Sequence, residues 1–98
     1  MVEQNYRSRA GEIDLVASMG DTLVFVEVRA RGPGALATPA ETVDARKQSR
    51  IVKSAWRYLL RFGSNPPPCR FDVIEVIRDL SGRTEVRHLP DAFRPGWI

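Results

Sequence analysis

An α/β fold built on a mixed sheet is what this sequence of 98 residues predicts. Three observations carry that prediction. Two β-rich runs, Glu12 to Ala17 and Thr22 to Arg29, are joined by a tight turn at Gly20-Asp21. A stretch free of Gly and Pro from 44 to 62 repeats Ile51, Ala55, Leu59 and Phe62 at helical spacing. Two further strand-like runs follow, Phe71 to Ile77 and Thr84 to His88. The order hairpin, helix, hairpin makes the helix a right-handed crossover between the strand ending near Arg29 and the one starting at Phe71.

Each element has a local reason. Val2 to Tyr6 reads as a short edge strand. In Glu12 to Ala17, strict alternation places Glu12, Asp14 and Val16 on one face and Ile13, Leu15 and Ala17 on the other. In Thr22 to Arg29 it groups Leu23, Phe25, Glu27 and Arg29 against Val24, Val26 and Val28. Gly20-Asp21 suits the two central positions of a primed turn. Thr38-Pro-Ala-Glu41 has the form of a capping box, and Asp44 is a rival N-cap. Asp79-Leu-Ser-Gly82 reads as the turn of the second hairpin, and Pro90-Asp-Ala-Phe93 as a closing helical turn. Two breaker clusters, Arg31-Gly-Pro-Gly34 and Gly63 to Pro68, are loops rather than domain linkers, so residues 1–98 form a single domain.

Composition narrows the function classes. No apolar run approaches the roughly 20 residues that span a bilayer, and the N-terminus lacks the form of a secretory signal. One cysteine, Cys69, forms no internal disulfide, and with only His88 to help it makes no zinc site. A reducing cytoplasm is the expected compartment. The net charge is +3, and thirteen of the fifteen basic residues are Arg, the side chain that grips phosphate in bidentate fashion.

Hairpin arithmetic gives the first chemical clue. With Gly20-Asp21 as a two-residue loop, paired residues sum to 41, which sets Asp14 opposite Glu27. Directly opposed residues have Cβ atoms about 4.5–5.5 Å apart on one face. Two like charges there repel unless a proton, an arginine or a divalent cation sits between them. Arg29 shares the face with Glu27, and Glu12 shares it with Asp14. A set of hard oxygen donors suits Mg²⁺ or Mn²⁺, whose catalytic work is to clamp phosphate oxygens and activate water. The plain alternative is a solvated Glu27–Arg29 surface pair. Leu23 and Phe25 on the same face speak against a face that simply meets water.

The helix carries a second clue. Arg46, Arg50, Lys53, Arg57 and Arg61 follow spacings of four, three, four and four, forming a basic side opposite the Ile51, Ala55, Leu59 stripe. No acidic residue occurs from 45 to 71, so the side is single-signed, as a phosphate-backbone contact requires. The alternative is an ordinary solvated helix face. Lys47 lies one turn before Ile51 on the inward stripe and is expected to reach toward the carboxylates. His88 is expected to make a structural hydrogen bond. Trp56 and Tyr58 are expected to pack, with a base or a neighbouring subunit as the alternative contact for Tyr58. Asp72 is expected to support the site from behind, and Cys69 to be inert.

Asp, a hairpin, then Glu-x-basic is the pattern of the PD-(D/E)xK nuclease superfamily, which includes restriction endonucleases and Holliday junction resolvases. More closely, the chain resembles the YraN-like family of uncharacterised bacterial proteins. The matching stretches are Asn5-Tyr-Arg7, Gly11-Glu-Ile-Asp-Leu15, Leu23-Val-Phe-Val-Glu-Val-Arg29 with Arg31, Lys47, Arg70-Phe-Asp-Val73 and Ala92-Phe93. The resemblance implies a restriction-endonuclease-like fold, Asp14 and Glu27 as metal ligands, and Arg29 at the position of the superfamily lysine. Arginine stays protonated, so Arg29 can stabilise developing charge but cannot accept a proton. Relatives usually carry a helix ahead of the first strand, often with an acidic residue; in a chain starting Met1-Val-Glu-Gln-Asn that helix is expected to be missing, and Glu3 is a poor substitute for its acid. The sequence therefore predicts a Mg²⁺- or Mn²⁺-dependent nuclease-like protein, with Asp14, Glu27, Arg29 and Lys47 at its centre. Its expected partner is nucleic acid, DNA before RNA, bound along Arg46 to Arg61. A catalytically silent binding module and a protein-interaction scaffold are the alternatives, and a second copy of the chain is a further candidate partner.

Overall fold

A computed structural model describes residues 2–32 and 43–96. Five strands form one sheet in the order β1-β2-β3-β4-β5: β1 Glu3–Ser8, β2 Gly11–Met19, β3 Thr22–Arg31, β4 Cys69–Arg78 and β5 Thr84–Phe93. All neighbours are antiparallel except β3 and β4, which run parallel. Parallel neighbours need a crossover, and helix α1, Ala45–Leu59, supplies it, tightening into a 3-10 turn over Leu60–Phe62. The mixed sheet with one crossover helix is the architecture the sequence predicts.

The β2–β3 hairpin has the expected register, from Met19 opposite Thr22 to Leu15 opposite Val26. Of its two loop residues only Gly20 takes positive φ (63°), the pattern of a type II′ turn. Asp44 is the N-cap of α1, accepting a 2.8 Å hydrogen bond from the Lys47 N–H. The rival cap at Thr38–Glu41 lies outside the described residues. In the β4–β5 turn, Asp79 Oδ1 accepts from the N–H groups of Ser81 and Arg83 and from the Ser81 hydroxyl, and Gly82 takes φ 86°.

One face of the sheet packs against α1. Ile51, Ala55, Tyr58 and Leu59 meet Ile13, Val16, Leu23, Phe25, Phe71 and Val73, all buried. A chain of rings crosses this layer at centroid distances of 5.2–5.7 Å: Tyr6 to Tyr58, Tyr58 to Phe25, Phe25 to Phe71, and Phe71 to Phe93. Tyr58 is thus a core residue and is not available to stack on a base.

Two expectations need correction. Pro90 to Phe93 is no helical turn; it continues β5 to Phe93, past a register shift between Phe71 and Val73. The strand lies at the sheet edge, where a proline's missing N–H costs no ladder bond. Asp91 absorbs the irregularity with φ 53° and donates its N–H to Asp72 Oδ1 at 2.9 Å. Nor does β2 alternate strictly. Ile13 and Val16, three apart, both enter the core under α1. The phase slips at Asp14 and, on the neighbouring strand, at Asn5. The β1–β2 register sums to 19 on either side of this pair, which is itself absent from the ladder, and Asn5 takes φ 52°. Asn tolerates that left-handed conformation better than most residues.

Candidate metal and phosphate site

The phase slip positions the first carboxylate. Paired residues with β3 end at Leu15 opposite Val26, so the backbone of β2 leaves β3 at Asp14. The Asp14 side chain fills the gap: its Oδ2 accepts the Val28 N–H at 2.8 Å. Gly11, which opens β2 with φ 151°, lies against Arg50 and Ser54 of α1. A hydrogen bond of 3.0 Å between the Ser8 and Ser54 hydroxyls ties the β1–β2 turn to the same point of the helix.

Glu27 is the second carboxylate. It projects from β3 toward the helix side, in line with Leu23 and Phe25, and is only 5 % exposed. The alternative of a solvated Glu27–Arg29 pair is therefore excluded. Lys47, from the first turn of α1, brings its Nζ to 2.6 Å from Glu27 Oε1, while Arg29 Nη1 lies 4.0 Å from the same oxygen. Burial pushes the Glu27 carboxyl above its ordinary pKa; Lys47 opposes the rise, and the neighbouring Asp14 adds to it. Asp14, Glu27, Glu12 and Lys47, with Gly11, Arg50 and Ile51, line one pocket of about 300 Å³. The structure thus brings the two carboxylates, Glu12, Lys47 and one cation of the basic helix side to a common opening. Glu12 sits at its rim, half-exposed and 3.7 Å from Arg7.

The donor set can be tested against a metal. Among the described residues no group of three or more His, Cys, Asp or Glu side chains is close enough to hold an ion unaided. The described residues by themselves offer no zinc set, which takes four protein ligands in structural sites and three in catalytic ones. Mg²⁺ and Mn²⁺ fit: such ions keep several waters and take one or two carboxylates.

The basic side of α1 is exposed at Arg46, Arg50, Lys53 and Arg57, and none of these four carries a salt bridge within the described residues. Arg61 differs. Its guanidinium lies 3.7 Å from the Tyr58 ring centroid and 3.5 Å from Glu3 Oε1, so an acid distant in sequence neutralises it. Among the described residues the unpaired array is therefore four cations, Arg46 to Arg57, spanning about 16 Å of helix, with Arg61 set apart from it.

On the far face of the sheet, Asp72 is 1 % exposed and fully satisfied. Arg70 bonds it through Nε and Nη2, His88 Nε2 lies 2.7 Å from Oδ2, and Asp91 N–H donates to Oδ1. Asp72 alternates with the core residues Phe71 and Val73, so it does not stand behind Glu27 as expected. The sequence reading also missed a third buried acid, Glu75, which meets Arg31 at 3.2 Å and Arg87 at 3.9 Å. Its signal was an acid inside the apolar run Val73 to Ile77. Burial pushes the Cys69 thiol up, away from the reactive thiolate. No described helix is long and apolar enough to cross a membrane.

Comparison with known proteins gives the lineage. A UPF0102 protein of Symbiobacterium thermophilum is 50% identical over 93 residues, covering 95% of this chain and 79% of the relative. One from Hahella chejuensis is 44% identical over 93 residues, covering 95% and 73%. One from Alkaliphilus oremlandii is 43% identical over 95 residues, covering 95% and 80%. Residues 1–76, which include β1, β2, β3, α1 and most of β4, match the profile of Uncharacterised protein family UPF0102. The chain belongs to that family, UPF0102, in agreement with the YraN-like resemblance of its motifs.

Proposed function

We propose that this protein is a Mg²⁺- or Mn²⁺-dependent nuclease-like protein acting on nucleic-acid phosphodiesters, with DNA the first substrate to try. The observation that carries the reading is a buried glutamate and an aspartate sharing one pocket with Lys47 and Arg50. A carboxylate as buried as Glu27 is expensive to keep ionised, and a structural role would satisfy it fully, as the protein does for Asp72. Asp14 and Glu27 would hold the ion, which when bound would polarise a phosphate oxygen. Arg50 joins the pocket to the basic helix side, so a backbone lying along Arg46, Arg50, Lys53 and Arg57 passes the pocket mouth. Arg29, permanently protonated, would stabilise charge developing on the phosphate. Lys47 is the other candidate for that role and, unlike Arg29, has an amine that can lose its proton.

Cleavage assays with Mn²⁺ on branched, flap, single-stranded and duplex DNA test the reading. Cutting that drops at least a hundredfold in Asp14→Asn and Glu27→Gln supports it. Arg29 in the lysine position favours a second reading, a binding module that no longer cuts. Salt-dependent DNA binding with no cleavage of any substrate would select that reading instead.

A further inference from the structure

We propose that Lys47 is a tethered cation that occupies the carboxylate site in the resting protein and is displaced when a divalent ion enters. The inference rests on the metal reading of the Asp14–Glu27 pocket. Three observations lead to it. The ammonium of Lys47 stands 2.6 Å from Glu27 Oε1, the distance of a direct charge-assisted hydrogen bond. Glu27 is buried, so without a cation its ionised form is unstable there. Lys47 itself is not enclosed: its side chain is 35 % exposed, and its backbone is held independently of Glu27 by the cap bond to Asp44.

The electrostatics of exchange follow from these positions. A divalent ion held by Glu27 would find a unit positive charge in contact with its own ligand, and the two cations repel strongly at that range. Arg29, 4.0 Å from the same oxygen, adds to the positive charge but does not touch it. The lysine stem, four methylenes long and anchored at one end, can swing its ammonium to the pocket mouth beside Arg50, where a phosphate would meet it. The same residue thus stabilises the metal-free fold and weakens metal binding, and on release it adds a positive charge where an anionic substrate arrives.

Calorimetric titration with Mn²⁺ of the wild type, Lys47→Met and Lys47→Arg tests this, together with thermal melts in EDTA. Lys47→Met should bind Mn²⁺ at least tenfold more tightly than the wild type while melting several degrees lower without metal. Lys47→Arg, which keeps the charge, should stay within about threefold of the wild type. Unchanged or weaker binding by a folded Lys47→Met, in a protein whose wild type binds Mn²⁺, overturns the proposal and leaves the metal reading standing. Failure of every form to bind Mn²⁺ overturns both. If Lys47→Met does not fold, the wild type still decides: with ¹³C-labelled lysine, the Lys47 Cε signal should move to free-lysine values at saturating Mg²⁺. A signal that stays put refutes displacement.

Discussion

Asp72 and Glu27 are buried to nearly the same degree on opposite faces of one sheet, yet their surroundings differ in kind. Asp72 receives an arginine fork, a histidine and a backbone N–H. Burial raises its pKa, but those donors outweigh burial, and the net shift is downward. Glu27 meets one partly exposed lysine, a more distant arginine and a second carboxylate, and its pKa is raised. A carboxylate that a fold uses as a structural joint is surrounded by donors. On the proposed reading, one that is buried beside another acid, with a lysine as its counter-charge, would take a cation from outside.

The largest effect that sharpens this contrast is on stability. Asp72→Asn leaves Arg70 and His88 without their partner and should cost about 3 kcal/mol at pH 7, readable by urea denaturation. Because the folded-state pKa of Asp72 is lowered, its contribution is present above the unfolded value, about 3.9, and is lost as pH falls through the folded value. The variant and the wild type should therefore converge in stability under strongly acidic conditions.

Glu27→Gln should act with the opposite sign. Its folded-state pKa is raised, so the ionised form is the one the fold disfavours at neutral pH. Removing the charge should stabilise the metal-free protein at pH 7 by about 1 kcal/mol, with Lys47 free to turn into solvent. The gain should shrink as pH falls through the raised folded value and vanish below the unfolded one. Denaturation curves showing Glu27→Gln destabilised like Asp72→Asn would erase the distinction between the two acids.

A smaller contrast separates the cations. Arg61 is engaged by Tyr58 and Glu3, so Arg61→Ala should cost about 0.5–1 kcal/mol of stability and leave DNA binding nearly untouched. Arg50→Ala should do the reverse, reducing the slope of log affinity against log salt by about 1. Fluorescence anisotropy over a salt series reads both.

Much of this was legible in the chain. The turn at Gly20-Asp21 fixes the β2–β3 register as far as Leu15 opposite Val26; the expected next pair, Asp14 opposite Glu27, is not in the ladder, yet both side chains line one pocket. The inward stripe of α1 places Lys47 toward the carboxylates, where it is found. What escaped the sequence depends on departures from periodicity or on distant pairing. Strict alternation has no room for the joint slip at Asn5 and Asp14, which puts Ile13 and Val16 under the same helix. Pro90 to Phe93 reads as a closing helical turn because the edge position of β5 shows only in the assembled sheet. Arg61 looked free because its partner, Glu3, lies 58 residues away.

The most direct test is a crystal structure of the protein soaked in Mn²⁺, read by anomalous difference density. The account predicts one peak within bonding distance of both the Asp14 and Glu27 carboxylates, with none at Asp72. A peak at Asp72, or none at the Asp14–Glu27 pocket at millimolar Mn²⁺, would contradict it.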